Sequence, residues 1–199
     1  MLLPALLAAC ATPAPPPIVS LDGRSCAASP DLAGAHAVPL DARNPVNLDL
    51  DGAAACLEGK GGGRSAYAAF RLPASAKPYL LTVTSTPLGD TLFVPRLLLL
   101  GAQGQVLREV ARDDFMFHGT ALYAGLRAAP AERYLIVASD APSVGQRVSH
   151  IVGESRAIPV PVGIGAVALV RSGSERQQVI TYAHNGRVTV TAQPMPVVN

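Results

Sequence analysis

Tryptophan is absent from this 199-residue chain, and Phe, Tyr and Trp together make up 5% of it. A stacking platform for bases or sugar rings is therefore poorly stocked. Charge is also thin. Asp, Glu, Lys and Arg are 15% of the residues, the formal net charge is +2, and the basic residues are scattered. Nucleic-acid binding wants a basic stripe or cluster, so no nucleic-acid partner is expected. There are three cysteines, with no Cys-x-x-Cys and no Cys–His spacing, so neither zinc nor redox chemistry is indicated. A Gly-x-Ser-x-Gly elbow is missing. "EGKGGGRS" (Glu58 to Ser65) lacks the spacing of a phosphate loop and no helical pattern follows it, so it reads as a flexible loop. No cofactor is expected.

What is present is apolar and rich in turns. Residues AVILMFWYC make up 49% of the chain, and Gly and Pro number 18 each. The first balance suits a packed core; the second suits short strands rather than long helices. Residues 2–9 are almost wholly apolar, far short of the about 20 residues of a membrane-spanning helix, and fit the h-region of a signal peptide. Leu7-Ala8-Ala9-Cys10 resembles the lipobox of bacterial lipoproteins, which implies a lipid on Cys10 after cleavage before it. In lipoproteins of enterobacterial type, which the segment resembles, Ala11 in place of Asp implies the outer membrane. "ATPAPPP" (Ala11 to Pro17) is an extended Pro-rich tether. No Lys or Arg precedes Arg24, so a start further upstream or a trimmed leader is expected to account for the positive n-region. In an oxidising periplasm, the remaining Cys26 and Cys56 read as one disulfide.

The expected organisation is a signal segment over 1–9, the lipidated Cys10 and tether over 10–18, an irregular lead-in over 19–45, and a β domain over 46–199. "SPDLAGA" in the lead-in suggests one short helix capped by Ser29, with Asp31 in its first turn. "VNLDLD" alternates, with Val46, Leu48 and Leu50 inward. Strands follow at 65–72 and 79–86, the latter with Tyr79, Leu81 and Val83 on one face and threonines on the other. "LFVPRLLLL" (Leu92 to Leu100) reads as a strand covered on both faces, with Pro95 marking an edge or bulge. "GAQGQ" turns the chain into "VLREV", and more strands are expected at 120–127 and 133–139. "VITYAHNGRVTVTA" reads as a hairpin around Asn185-Gly186. It would send Val179, Thr181, Ala183, Val188, Val190 and Ala192 to the core and leave His184 and Arg187 in water at its tip. Eight to ten short strands and hardly any helix make an all-β fold, a β-sandwich or jelly-roll-like barrel.

The one polar cluster with chemical character is "RDDFMFHG" (Arg112 to Gly119), where Asp113, Asp114 and His118 are candidates for an acid–base or metal-binding set. Adjacent carboxylates on a strand point to opposite faces, which weighs toward an acidic turn before a Phe-packed segment.

"SAYAAFRLP", "PYLLTVTSTPLGDTLFVPRLLLLGAQGQVLREV", "FMF", "AERYLIVASD" and "AIPVPVGIGAVAL" follow one another in the order and spacing of the MalM family, which the chain resembles over about residues 45–170. "PRLLLLGAQGQVLREV" is also similar to the strand-turn-strand of pre-peptidase C-terminal-type β-sandwiches. "APSVGQRVSH" is shorter than the polar stretch typical of MalM proteins at that place. The MalM resemblance implies a periplasmic accessory protein associated with sugar uptake and supplies no catalytic or ligand residues. The expectation is a lipid-anchored, non-enzymatic binding protein with an envelope protein partner and a carbohydrate ligand. The alternatives are a structural subunit of an envelope assembly and a hydrolase using Asp113, Asp114 or His118.

Overall fold

The computed structural model describes residues 18–59, 62–152, 155–162, 165–172 and 176–195, with only the main chain described over 150–176. The expected lipidation site, Cys10, and most of the tether lie outside the described residues. In chain order the strands are β1 (His36–Ala37), β2 (Val46–Leu50), β3 (Cys56–Glu58), β4 (Arg64–Arg71), β5 (Tyr79–Thr86), β6 (Thr91–Phe93), β7 (Pro95–Leu100), β8 (Val106–Val110), β9 (Met116–His118), β10 (Ala121–Ala128), β11 (Tyr134–Ser139), β12 (Arg147–Val152), β13 (Ser155–Val162), β14 (Gly165–Ser172), β15 (Arg176–Ala183) and β16 (Gly186–Pro194). Among the described residues the only helical turns are two 3₁₀ turns, Arg112–Asp114 and Ala141–Ser143. The all-β expectation holds.

Two sheets form the body. One runs β1-β4-β11-β7-β8 with β3 beside β4; the other runs β2-β16-β5-β10-β9. Their facing side chains make one core: Phe70, Leu97, Leu99, Leu135 and Val137 from the first, and Tyr79, Leu81, Val83, Leu122 and Val190 from the second. This is sheet-on-sheet packing, in which each strand contributes alternate residues inward. β5 follows its sequence pattern, with Tyr79, Leu81 and Val83 buried and the threonines at 82 and 84 half-buried. Burying each large aliphatic side chain contributes about 1.5–3 kcal/mol.

The first sheet is covered on its other face as well. Tyr67, Ala69, Leu100, Ile136 and Ala138 form a second cluster there, packed by Leu32 and Ala35 of the lead-in. That explains the unbroken apolar runs in β4, β7 and β11, because strands buried on both faces do not alternate. The lead-in is sewn on by a parallel bridge, in which Ala27 N–H donates to Cys56 O at 2.9 Å and Glu58 N–H to Ala27 O at 2.9 Å. Cys26 and Cys56 are joined in a disulfide. Closing a loop with a sequence separation of 30 contributes about 3–4 kcal/mol in the chain-entropy model.

Three local expectations fail. The helix over Ser29–Ala35 does not form. Asp31 Oδ1 instead accepts from Ala33 N–H at 2.9 Å, and Asp31 N–H donates to the Tyr67 hydroxyl at 2.9 Å. An aspartate that satisfies its own local backbone competes with a helix, and seven residues are too few for one to resist. The run Leu92–Leu100 is two strands in two sheets. β6 pairs with β15, β7 pairs with β11, and Pro95 opens β7, where its missing N–H is tolerated.

The third is the Asn-Gly hairpin. β15 pairs with β12 and β6, whereas β16 pairs with β2 and β5, so the chain crosses between sheets at Asn185-Gly186. Ile180 and Tyr182 enter the core, Val179 is 41% exposed, and His184 is buried rather than in water. Ala183 is buried as expected, as are Val188, Val190 and Ala192. Arg187 is exposed, paired with Asp49 across the outer face. The crossing works only with glycine, because a Cβ on Gly186 would lie 2.7 Å from Phe93 Cβ and 2.8 Å from Phe93 N.

Candidate functional site

The residues singled out in "RDDFMFHG" do not converge. Asp113 extends into solvent and pairs with Arg112 at 3.0 Å; Asp114 Oδ2 accepts from Ala111 N–H at 3.0 Å, closing the 3₁₀ turn. His118 is exposed on β9, opposite Ala121 of β10. No group of His, Cys, Asp and Glu among the described residues is placed to hold a metal ion. The chemistry in this segment belongs to Arg112. Its Nη2 donates to the Tyr182 hydroxyl at 2.9 Å while its guanidinium lies 5.6 Å over the same ring. It clamps the polar end of a buried core tyrosine.

A cleft of about 390 Å³ opens where residues 18–22 cross the ends of β4 and β15, lined by Asp22, Gly63, Arg64, Ala141 and His184 among others. Behind His184 the Ser139 hydroxyl accepts from Ala66 N–H at 3.0 Å and shares a hydrogen bond of 2.7 Å with His184 Nδ1. Burial holds the His184 pKa below the ordinary imidazole value, partly opposed by the charge of Asp22. A serine beside a histidine invites comparison with a hydrolytic pair, but Ser139 is 1% exposed and its hydroxyl is fully committed. No carbonyl could reach it; the pair fastens β11 to the crossing at 184–186.

A second, more polar groove of about 510 Å³ lies on the outer face of β12 and β15, lined by Asp90, Arg147, Gln177, Gln178, Val179 and Thr181. The fold builds it from register. Thr181 faces Arg147 of β12 and Thr91 of β6, and Thr181 N–H donates to Asp90 O at 2.7 Å. Gly89, with φ 60°, allows the turn that brings Asp90 there. Gln177 Nε2 donates to Ser149 Oγ at 2.7 Å. The side chains of Asp90 and Arg147 have no hydrogen-bond or ion-pair partner among the described residues. A free carboxylate, a free guanidinium, two amides and a hydroxyl around an exposed Val179 are suited to a small polyhydroxylated or zwitterionic ligand.

The family model of the maltose operon periplasmic protein precursor, MalM, matches residues 62–191, from β4 into β16. The chain belongs to the MalM family. No curated protein and no solved structure matches it. As a MalM protein it is periplasmic, an oxidising compartment in which the Cys26–Cys56 bridge persists.

Neither concave site was legible beforehand. The groove joins positions 90, 147 and 177–181, which share no motif. His184 was read as exposed because the hairpin that would have exposed it does not exist. A signal lay in "VITYAH", where both alternating sets are substantially apolar and the buried set is the larger one.

Proposed function

We propose that this MalM protein is a lipid-anchored accessory protein that acts by binding, held at the outer membrane through Cys10 and associated with uptake of maltodextrin-like carbohydrates. Membership of a family named for the maltose operon carries this reading. The order of lipobox, Pro-rich tether and β domain supports the anchor. The groove at Asp90, Arg147 and Gln177 supports the ligand class, since sugar hydroxyls are recognised by carboxylates, guanidinium groups and amides that donate and accept side by side.

Calorimetric titration of the domain with maltotriose and maltoheptaose tests the ligand. Saturable heat that disappears in Asp90→Ala and Arg147→Ala is expected; no heat at millimolar oligosaccharide sinks the carbohydrate part. Labelling with an alkyne palmitate analogue tests the anchor separately, with label on the wild type and none on Cys10→Ala. A second reading, a structural subunit of an envelope assembly, is favoured by the β13–β14 ribbon, which pairs with no other described strand.

A further inference from the structure

Strands β12 and β15 pair antiparallel from Arg147↔Thr181 to Val152↔Arg176. β13 and β14 pair antiparallel with each other from Ser155↔Ser172 to Val162↔Gly165. β6 ties β15 to the body, but β13 and β14 pair only with each other among the described strands. A two-stranded ribbon alone is marginal in water, and a third strand is what it lacks.

Its two edges differ. Pro159 and Pro161 lie opposite Ala168 and Ala166. Proline has no N–H for a ladder, so these positions fit where the main chain faces away from β14. The outer edge of β13 is thereby stripped of donors at both places and closed to another strand. The same alternation turns the N–H and C=O groups of Ala166, Ala168 and Val170 outward on β14. That edge has no proline, and Arg171 is its only charged residue.

We propose that β14 pairs antiparallel with β14 of a second copy, about a two-fold axis at Ala168. Ala168 then meets its counterpart, Ala166 meets Val170 of the other copy, and roughly six main-chain hydrogen bonds form. In this register Arg171 falls opposite Gly165 of the other copy, whereas an axis at Arg171 would set the two arginines directly opposite each other, which is destabilising. Association stops at two, because the proline-bearing β13 strands become both margins of the four-stranded sheet and a two-fold interface closes on itself. A lipid surface is a poorer occupant, since an open ladder edge in hydrocarbon leaves each N–H and C=O without a partner.

Sedimentation equilibrium of the chain carrying Cys10→Ser is expected to show a dimer in the micromolar range. Ala168→Pro removes the N–H at the axis without touching the β13 ladder. It is expected to weaken the dimer about tenfold or more, with the thermal melt of the monomer unchanged. Ala168→Cys places two thiols about 5.5 Å apart between Cα atoms, within disulfide range. It should oxidise to a covalent dimer, whereas Val160→Cys on the closed strand should not. If Ala168→Pro fails to fold, the Ala168→Cys crosslink decides the question. A chain that stays monomeric at all concentrations overturns the proposal. So does a dimer indifferent to Ala168→Pro, an Ala168→Cys chain that does not crosslink, or another envelope protein on this edge while the chain itself is monomeric.

Discussion

Strands β5 and β15 are both eight residues long, and they live in different surroundings. β5 lies at the centre of its five-stranded sheet, with β16 and β10 on either side, and one of its faces is wholly inside the sandwich. β15 belongs to the body only at one end. Ile180 and Tyr182 reach the core, β6 pairs with its last three residues, and its first six residues pair with β12. The difference teaches that burial in this protein is decided by which sheet a strand joins, and not by how apolar each of its faces is.

Adjacent residues on β15 test that comparison most sharply. Ile180→Ala should cost about 2–5 kcal/mol by denaturant unfolding, because it leaves a cavity at a position with no exposure. Val179→Ala, one residue away on the open face, should stay within about 0.5 kcal/mol. Equal effects would mean that β15 is not seated as described. Next in size is the disulfide. Cys26→Ala with Cys56→Ala should lower stability by about 3–4 kcal/mol, and reductant should have no further effect on that variant. A smaller loss, about 1–3 kcal/mol, is expected for Gly186→Ala, whose methyl group must displace the Phe93 backbone. If Asn185-Gly186 were a hairpin tip in water, the loss would come without any perturbation of β6.

The smallest expected effect is one of pH. His184 is held below its ordinary value of 6.5 by burial. Between its folded pKa and about 6.5 the unfolded chain binds more protons, so stability rises with pH there. Its contribution is complete above that window and is lost as the pH falls through it. A pH series of melting curves should show this slope in the wild type and a flatter one in His184→Gln. An unchanged slope would place His184 back in water.

How much was legible follows from local patterning. β5 and β2 carry one apolar set and one polar set, so their faces could be assigned from alternation alone. In "VITYAH", at the end of β15, the sets are Val179, Thr181, Ala183 and Ile180, Tyr182, His184. Both can pack, and the assignment rested on the turn chemistry of Asn-Gly, which long-range pairing overrode. The "RDDFMFHG" cluster looked chemical because its charges are close in sequence, yet the 3₁₀ turn at Arg112–Asp114 sends its two carboxylates to different partners.

By itself, the sequence determined an all-β chain with a dense core, strands near 46–51, 79–86 and 120–127, a two-cysteine bridge and a likeness to MalM proteins. These depend on composition, on alternation within a strand, and on motifs a few residues long, all of which are local. The tertiary structure alone decided that residues 92–100 serve two sheets, that Asn185-Gly186 is a crossing rather than a hairpin, that His184 is buried against Ser139, and that Asp90, Arg147 and Gln177 share a groove. Each of these is a choice among strand pairings of comparable local quality. Only the sum of burial and ladder hydrogen bonds over the whole sandwich distinguishes them.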